Sequence, residues 1–431
     1  MKRISLFLLL FLLLKATVMY SQDGHPETNF RIVPVSPNAA SLGTFGMIPT
    51  DNYVGQANLT IPIYEIDLDG KKFPIALSYH TDGTRVAQEA TWIGLGWTLQ
   101  AGGCVVRQVQ GTDDFAARGC YNLTDAPWLT NPRFEVTDQN LEKYMGYFKG
   151  DYDAEPDMFY FNAGGHSGSM YFDVLKNNRQ LNAVPTIQTQ EKVVKMVYNT
   201  SNKTWTMTDL EGYVYSFSTK EITYYFLNTI DFFQTDITRS HIFPYYNEPQ
   251  IVTAWMLDSV TSPNGGKIMF SYKKESIFTP ISTTEDVISL SKIVNGQLSS
   301  QSPQYFTNKF NYNYSYSKIE QWTLSAITFE GGKVEFGTTD REDIESAETG
   351  KKVQKLSSIK VSDTAGNLIK TTMLEYKYLL SGMAATTNGY DDRLLLSKVY
   401  DVAGSKKNNV YTMDYNMGKL PPKRSLSVDA W

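Results

Sequence analysis

Hydrophobic and polar residues alternate with a period of two along much of the chain. Phe73, Ile75, Leu77 and Tyr79 alternate with Pro74, Ala76, Ser78 and His80, and Leu59, Ile61 and Ile63 alternate likewise before them. Asp69-Gly70 lies between the two runs, so the pattern predicts a hairpin closed by a tight turn. Pro62 and Pro74 cannot donate to a ladder, which puts these strands at an edge or gives them bulges. Further strands are predicted over 158–161, 169–174, 192–198 and 204–217. A later one carries Phe310, Tyr312, Tyr314 and Tyr316 on one face, with Asn311, Asn313 and Ser315 on the other. Between 111 and 157 the alternation decays. "DQNLEKYMGYF" (Asp138 to Phe148) is the best helix there, capped by Asp138 with Leu141, Tyr144 and Met145 on one face. Residues 226–246 read as aromatic and irregular, and the Ser/Thr/Gln-rich stretch 282–304 reads as a long loop.

The second half contains a loose repeat. "LDSVTSPNGGKIMFSY" (Leu257 to Tyr272) recurs as "LSAITFEGGKVEFG" (Leu324 to Gly337). It returns in longer form as "LSSIKVSDTAGNLIKTTMLEY" (Leu356 to Tyr376) and "LSKVYDVAGSKKNNVYTMDY" (Leu396 to Tyr415). Each copy is a leucine, a β-branched residue three positions on, a glycine-containing turn and a strand that closes on an aromatic. "WTMTDLEGYVYSF" (Trp205 to Phe217) is a further relative. Such hairpins cannot bury a face alone and must stack on neighbours. The leading leucines are 67, 32 and 40 residues apart, so the loops vary and no strict solenoid is expected. The expected fold is all-β, with antiparallel hairpin-rich sheets. Its organisation is a leader at 1–21, a β region at 22–111, a loop-rich, partly helical insertion at 112–157, hairpins at 158–281, the loop at 282–304 and hairpin repeats at 305–431.

Composition agrees with strands: 28 tyrosines and 22 phenylalanines in 431 residues. Lys2 and Arg3 precede an apolar run from Ile4 to Leu14, and Tyr20-Ser21-Gln22 offers a cleavage point. That is a secretory signal, because its apolar core is shorter than the ~20 residues that span a bilayer. No later segment reads as an integral membrane span, and the first cysteine is Cys104, so the chain is expected to be secreted, periplasmic or at the outer cell surface. A net charge of −5 excludes the basic stripe that nucleic-acid binding needs. Cys104 and Cys120 lie sixteen positions apart; export permits a disulfide between them, and two unpaired thiols are the alternative.

The stretch "TWIGLGWTLQAGGCVVRQVQG" (Thr91 to Gly111) invites a cofactor test. A dinucleotide fingerprint needs G-x-G-x-x-G between a strand and a helix. Here Leu99 stands where the third glycine belongs, and a strand pattern, "CVVRQV", follows. A phosphate-binding loop would need a Gly-Lys-Ser/Thr ending, which is missing. In "NAGGHSGSMYFD" (Asn162 to Asp173), His166 adjoins Ser167, but a hairpin turn explains the glycines better than a nucleophile elbow. Acidic groups occur at Asp113-Asp114, Glu155 with Asp157, Asp340 with Glu342-Asp343, and Asp391-Asp392. They are expected to be solvated loop acids, and no D-x-D-x-D-G spacing supports calcium. No catalytic residue, cofactor or metal site is assigned.

Several segments together resemble the N-terminal region of exported bacterial RHS/YD-repeat proteins of the Bacteroidetes type. They are Val35 to Ile66, Phe73 to Gly111, Glu155 to Phe172, "LDSVTSPNGGKIMFSY" and the closing "LPPKRSLSVDAW" (Leu420 to Trp431). The most specific piece is S-Y-H-x-x-G-x-x-V-x-x-x-A-x-W-x-G-L-G-W, carried by Ser78 to Trp97. The marker positions are therefore His80, Gly83, Trp92, Gly94, Gly96 and Trp97, with Gly102 and Gly103 just beyond. The same region is similar to the opening segment of β-shell subunits in toxin complexes. The resemblance implies a strip of hairpins wound into a shell or, since relatives run on past Asp429-Ala430-Trp431, an open curved strip. It implies a structural role without catalysis, and as partner a downstream RHS core, a toxin polypeptide or a surface partner. The alternative is a surface adhesin or carbohydrate-binding module using aromatic strand faces such as Tyr312, Tyr314 and Tyr316. A hydrolase using the loop carboxylates ranks third.

Overall fold

The computed structural model describes residues 33–47, 59–79, 84–111, 113–116, 119–120, 153, 155–173, 184–188, 194–230, 242–244, 250–290, 293–294, 297–298, 307–380, 390–418 and 420–423. The leader at 1–21, the helix expected at 138–148 and two marker positions, His80 and Gly83, lie outside the described residues. Two compact units emerge. The larger holds 33–108, 158–171 and 183–431; the smaller takes in 109–157 and 172–182. Every strand pairing among the described residues lies in the larger unit and is antiparallel.

Strands β1 (Leu59–Leu68) and β2 (Lys71–Tyr79) form the expected hairpin. Its turn residues Asp69 and Gly70 have φ of 50° and 90°, the left-handed pair of a tight hairpin turn. The ladder slips between Pro62 and Tyr64, a bulge where proline cannot donate. β3 (Trp97–Gln100) adds to β2 and completes a three-stranded sheet. The chain then crosses to the large sheet as β4 (Gly103–Gln108). Gly102 makes that crossing with φ +104°, a conformation strained for any other residue.

The large sheet continues with β5 (Met158–Ala163), β6 (His166–Tyr171), β7 (Val194–Asn199), β8 (Thr204–Asp209) and β9 (Val214–Ile230). β10 (Ile251–Thr261) and β11 (Lys267–Phe278) form the next hairpin. β12 (Ser282–Leu290) and β13 (Thr307–Phe329) follow. β14 (Gly332–Asp340), β15 (Gln354–Ser362), β16 (Leu368–Leu379), β17 (Arg393–Ala403) and β18 (Lys406–Thr412) then pair in sequence order. Two sequence expectations are corrected. The loop at 282–304 opens with β12, which pairs with the first half of β13, so β-prone Thr, Val and Ile outweigh the polar composition. The irregular stretch 226–246 begins inside β9, which runs to Ile230.

β9 is long enough to change partners. Its first half pairs with β10 and its second half with β13, while β11 bridges β10 to β13. Those four strands close into a ring. β10 also pairs with β4, and β4 with β5. Phe159, Tyr198, Trp205 and Trp255 fill the space between β5, β7, β8 and β10, with Tyr198 and Trp205 ring centres 4.8 Å apart and Phe159 and Trp205 5.3 Å apart. Each such ring buried contributes about 1.5–3 kcal/mol.

One helix was missed from sequence: α1 (Pro37–Met47). Ser36 caps it, its Oγ accepting the Ala39 N–H at 3.2 Å, and Pro37 occupies the first turn, where no N–H is needed. The helix packs Ala39 and Leu42 against Cys104, Val106, Ala254 and Met256. The Ser-Pro start was the available signal.

Candidate functional site

The glycine- and tryptophan-rich marker is built from the larger unit alone. Thr91 folds the segment on itself: its hydroxyl donates to the Trp97 carbonyl at 2.6 Å and accepts the Ile93 N–H at 3.1 Å. The exposed backbone is then taken up by distant strands. Leu95 N–H donates to the Leu394 carbonyl at 2.8 Å, and Leu356 N–H to the Trp92 carbonyl at 3.0 Å. Trp92 N–H donates to Asn38 of α1 at 2.9 Å. Trp97 is buried, lies 5.2 Å from the Tyr79 ring and donates its indole N–H to Tyr415 at 2.9 Å.

Gly94, Gly96 and Gly103 of the marker are contact points. Gly94 has φ +121°, and a Cβ there would sit 2.9 Å from the Leu396 nitrogen. At Gly96 it would strike the Tyr79 ring at 2.7 Å, and at Gly103 the Asn162 carbonyl at 2.4 Å. No backbone this close to its neighbours leaves room for a pyrophosphate. The cavity between α1 and the marker, lined by Asn38, Thr91, Trp92, Thr98, Met256 and Trp322 among others, has a volume of about 40 Å³. Ligand pockets typically need ~300–1,000 Å³.

A belt of buried charge closes over the marker. Arg341 holds Asp343 with two hydrogen bonds, 2.8 Å from Nε and 2.7 Å from Nη2, and donates to the carbonyls of Thr91 at 3.0 Å and Ala90 at 3.2 Å. Asp343 also accepts the Leu394 N–H at 3.2 Å. Lys423 reaches Glu89 at 3.1 Å and the Asp343 carbonyl at 2.9 Å, and Arg393 donates to the carbonyls of Val86 and Pro421. Burial opposes the charge on Asp343, yet the Arg341 guanidinium beside it holds the carboxyl below the usual range. From sequence, Asp340, Glu342 and Asp343 are expected to be solvated loop acids. Asp343 is instead fully buried, because Arg341 two positions before it supplies the counter-charge while Leu394 and Lys423, far away in sequence, add donors.

The repeat hairpins share a second device. The residue after each leading leucine, namely Asp258, Ser325, Ser357 and Ser397, is skipped by the ladder, which leaves the leucine opposite Phe217, Tyr272, Thr338 or Tyr376 of the preceding hairpin. Each copy is thus laid down on a β-bulge, and at Asp258, Ser325 and Ser357 the bulged side chain repairs the interrupted ladder. Ser325 donates to the Ser271 carbonyl at 2.9 Å and Ser357 to the Gly337 carbonyl at 3.0 Å; Asp258 accepts from Ser218 and Thr219. The leucine carbonyl is then clamped by the tyrosine that ends its own copy: Tyr272 to Leu257 at 2.6 Å, Tyr376 to Leu356 at 2.5 Å, and Tyr415 to Leu396 at 2.7 Å. Burial pushes the Tyr415 hydroxyl up to about 12, which keeps it a donor. In the Leu324 copy Thr338, not the aromatic expected from sequence, stands in the register of Tyr272 and Tyr376.

Other candidates resolve into structure. Gly164 and Gly165 turn a hairpin with φ of 60° and 84°, so His166 and Ser167 begin β6 and point to opposite faces. His166 lies 3.7 Å from Asp209, which Lys71 holds at 2.6 Å and Tyr215 at 3.1 Å. The tyrosine face that the alternative, carbohydrate-binding reading would offer to sugars is core: Tyr314 and Tyr316 are buried, and Tyr316 stacks flat on Phe226 at 4.5 Å. In the smaller unit Asp114 and Asp157 each accept the other's backbone N–H, at 2.6 and 3.3 Å, and Asp153 sits against Gly111. Asp113, Asp114 and Asp157 therefore shape turns. Among the described residues no group of three His, Cys, Asp or Glu side chains is arranged to hold a metal, and no helix is long and apolar enough to cross a membrane. Cys104 and Cys120 are free thiols, Cys104 fully buried and Cys120 pushed up to about 12 by burial and by nearby Asp114, Asp153 and Asp157.

No protein-family model matches the sequence, and no curated protein matches it at a significant level. Among solved structures the chain is similar to the N-terminal domain of the effector protein SpvB from Salmonella typhimurium strain LT2. The identity is 12%, the TM-score 0.35, and the match covers 80% of this chain and 99% of that one. It is similar to part of a Photorhabdus luminescens Tc holotoxin pore structure at 10% identity and TM-score 0.36, over 83% of this chain and 15% of that chain. A TcdB2-TccC3-TEV structure matches at 12% identity and TM-score 0.33, again over 83% of this chain and 15% of that one. Likenesses this distant leave the all-β, antiparallel fold to rest on the strand pairing itself.

Proposed function

We propose that the chain is an exported structural scaffold, the N-terminal portion of an RHS-type shell or open β strip in a toxin or cell-surface system, with no catalysis of its own. One observation carries the reading: successive hairpins are laid edge to edge by one rule, a leucine set opposite the preceding hairpin's closing strand and a bulged Ser or Asp beside it. A protein organised this way is a wall that grows by addition. Among the described residues the outer edge of β18 pairs with no strand, and in every earlier copy the corresponding edge carries the next leucine-led strand. Gly94, Gly96 and Gly103 of the marker support the same reading, since each serves close packing. Export follows from the Lys2-Arg3 start and the apolar run Ile4 to Leu14, and the partner is a downstream polypeptide or a surface component that the strip supports.

Limited proteolysis and size-exclusion chromatography of the exported chain test this. An open strip associates through its β18 edge, and substituting Val410 and Tyr411 there with lysine abolishes the association. A monomer at all concentrations, unaffected by those changes, would count against the scaffold.

A further inference from the structure

Glu275 on β11 and Gln321 on β13 are directly opposed in the ladder that joins these strands. Both are more than nine-tenths buried. Gln321 Nε2 donates to Glu275 Oε2 at 3.4 Å. That leaves Glu275 Oε1 and Gln321 Oε1 buried without a hydrogen-bond partner, two acceptors on facing residues with one donor missing between them. A single proton supplies it. We propose that Glu275 is held as the neutral acid, its Oε1–H donated to Gln321 Oε1 while Gln321 Nε2–H is donated to Glu275 Oε2, so that acid and amide close a cross-strand ring.

The surroundings favour this state. Along the same face the next pair is Ile277 with Ile319, packed against Ile344 and Val353. The charged groups in reach are Lys273, exposed on the same strand, and Arg341, whose guanidinium is already committed to Asp343. The Gln354 N–H of β15 also points at the carboxyl. Burial outweighs these three together with the Gln321 hydrogen bond and raises the Glu275 carboxyl above its ordinary value. When the proton leaves to solvent, a carboxylate faces the Gln321 carbonyl oxygen with no donor between them, in the ladder that completes the four-strand ring. The ring is therefore a proton-dependent lock. Because folding raises this carboxyl, its stabilisation is complete below the unfolded value, about pH 4.3, and is lost as pH climbs through the folded value.

Glu275→Gln mimics the neutral acid at every pH, because the new amide donates where the acid did. Denaturant unfolding of wild type and E275Q across pH tests the proposal. The two coincide near about pH 4, and above it the wild-type unfolding constant rises relative to E275Q roughly tenfold per pH unit until the folded carboxyl has titrated. An E275Q protein that is less stable than wild type at neutral pH, or fails to fold, would overturn it. Infrared difference spectra of the two proteins at neutral pH give an independent readout: the wild type shows a protonated-carboxyl C=O band that E275Q lacks, and no such band would equally overturn the assignment.

Discussion

The repeat hairpins and the marker segment that crosses them are both β walls, yet different forces hold them. In the repeats the tyrosine clamps are local: Tyr376 holds Leu356 twenty residues away, and Ser357 bonds Gly337 at the same separation. The marker folds on itself through Thr91 but is anchored from afar. Arg341 bonds Thr91 across 250 residues, and Leu95 bonds Leu394. Local rules lay the strip down hairpin by hairpin, and a remote weld then fixes the early segment across the late hairpins. Loop closure over such separations is entropically costly, so the weld must be strong where the repeats can be modest.

Breaking the weld should therefore have the largest effect. Arg341→Ala leaves Asp343 buried without its counter-charge and should lower unfolding free energy by about 3–5 kcal/mol in denaturant titrations, while replacing both residues with Met and Leu should recover most of it. That double variant should also lose an acid sensitivity. Asp343 is depressed in the fold, so its contribution is present above the unfolded value, about pH 3.9, and lost as pH falls through the folded one.

Glycines separate the regions next. Gly94→Ala meets both a left-handed φ and the Leu396 backbone at 2.9 Å, whereas Gly366 in a repeat turn, φ +83°, has nothing within 4 Å of its Cβ position. Thermal melts should show a loss of about 3 kcal/mol or more for G94A and about 1 kcal/mol for G366A. Within the repeats, Tyr376→Phe frees the Leu356 carbonyl and should lose about 1–1.5 kcal/mol. Ser357→Ala should lose about 0.5–1 kcal/mol.

The same division decides what could be read from sequence. Asp69-Gly70, the Leu-x-x-β-branched starts and the glycine turns act within a few residues, so the hairpins were legible. The bulge was written there too, as the Ser or Asp after each leucine, but only the pairing register reveals what that residue does. Tyr314 and Tyr316 alternate correctly, yet whether such a face is core or surface depends on Phe226, a strand away. Asp343 looks like a loop acid until Arg341, Leu394 and Lys423 are placed around it. Gly94 and Gly96 were marked by their spacing, while the reason for them, Leu396 and Tyr79, is tertiary.

Native-state hydrogen exchange at Leu95 and Leu356 tests the central claim most directly, since these amides carry the backbone bonds between the marker and the late hairpins. If the marker is welded wall, both should exchange only through global unfolding, with the same free energy and denaturant dependence as Val361 inside the β15 ladder. Exchange of Leu95 through a low-energy local opening, while Val361 stays protected, would contradict the account and make the marker a loop resting on a strip that stands without it.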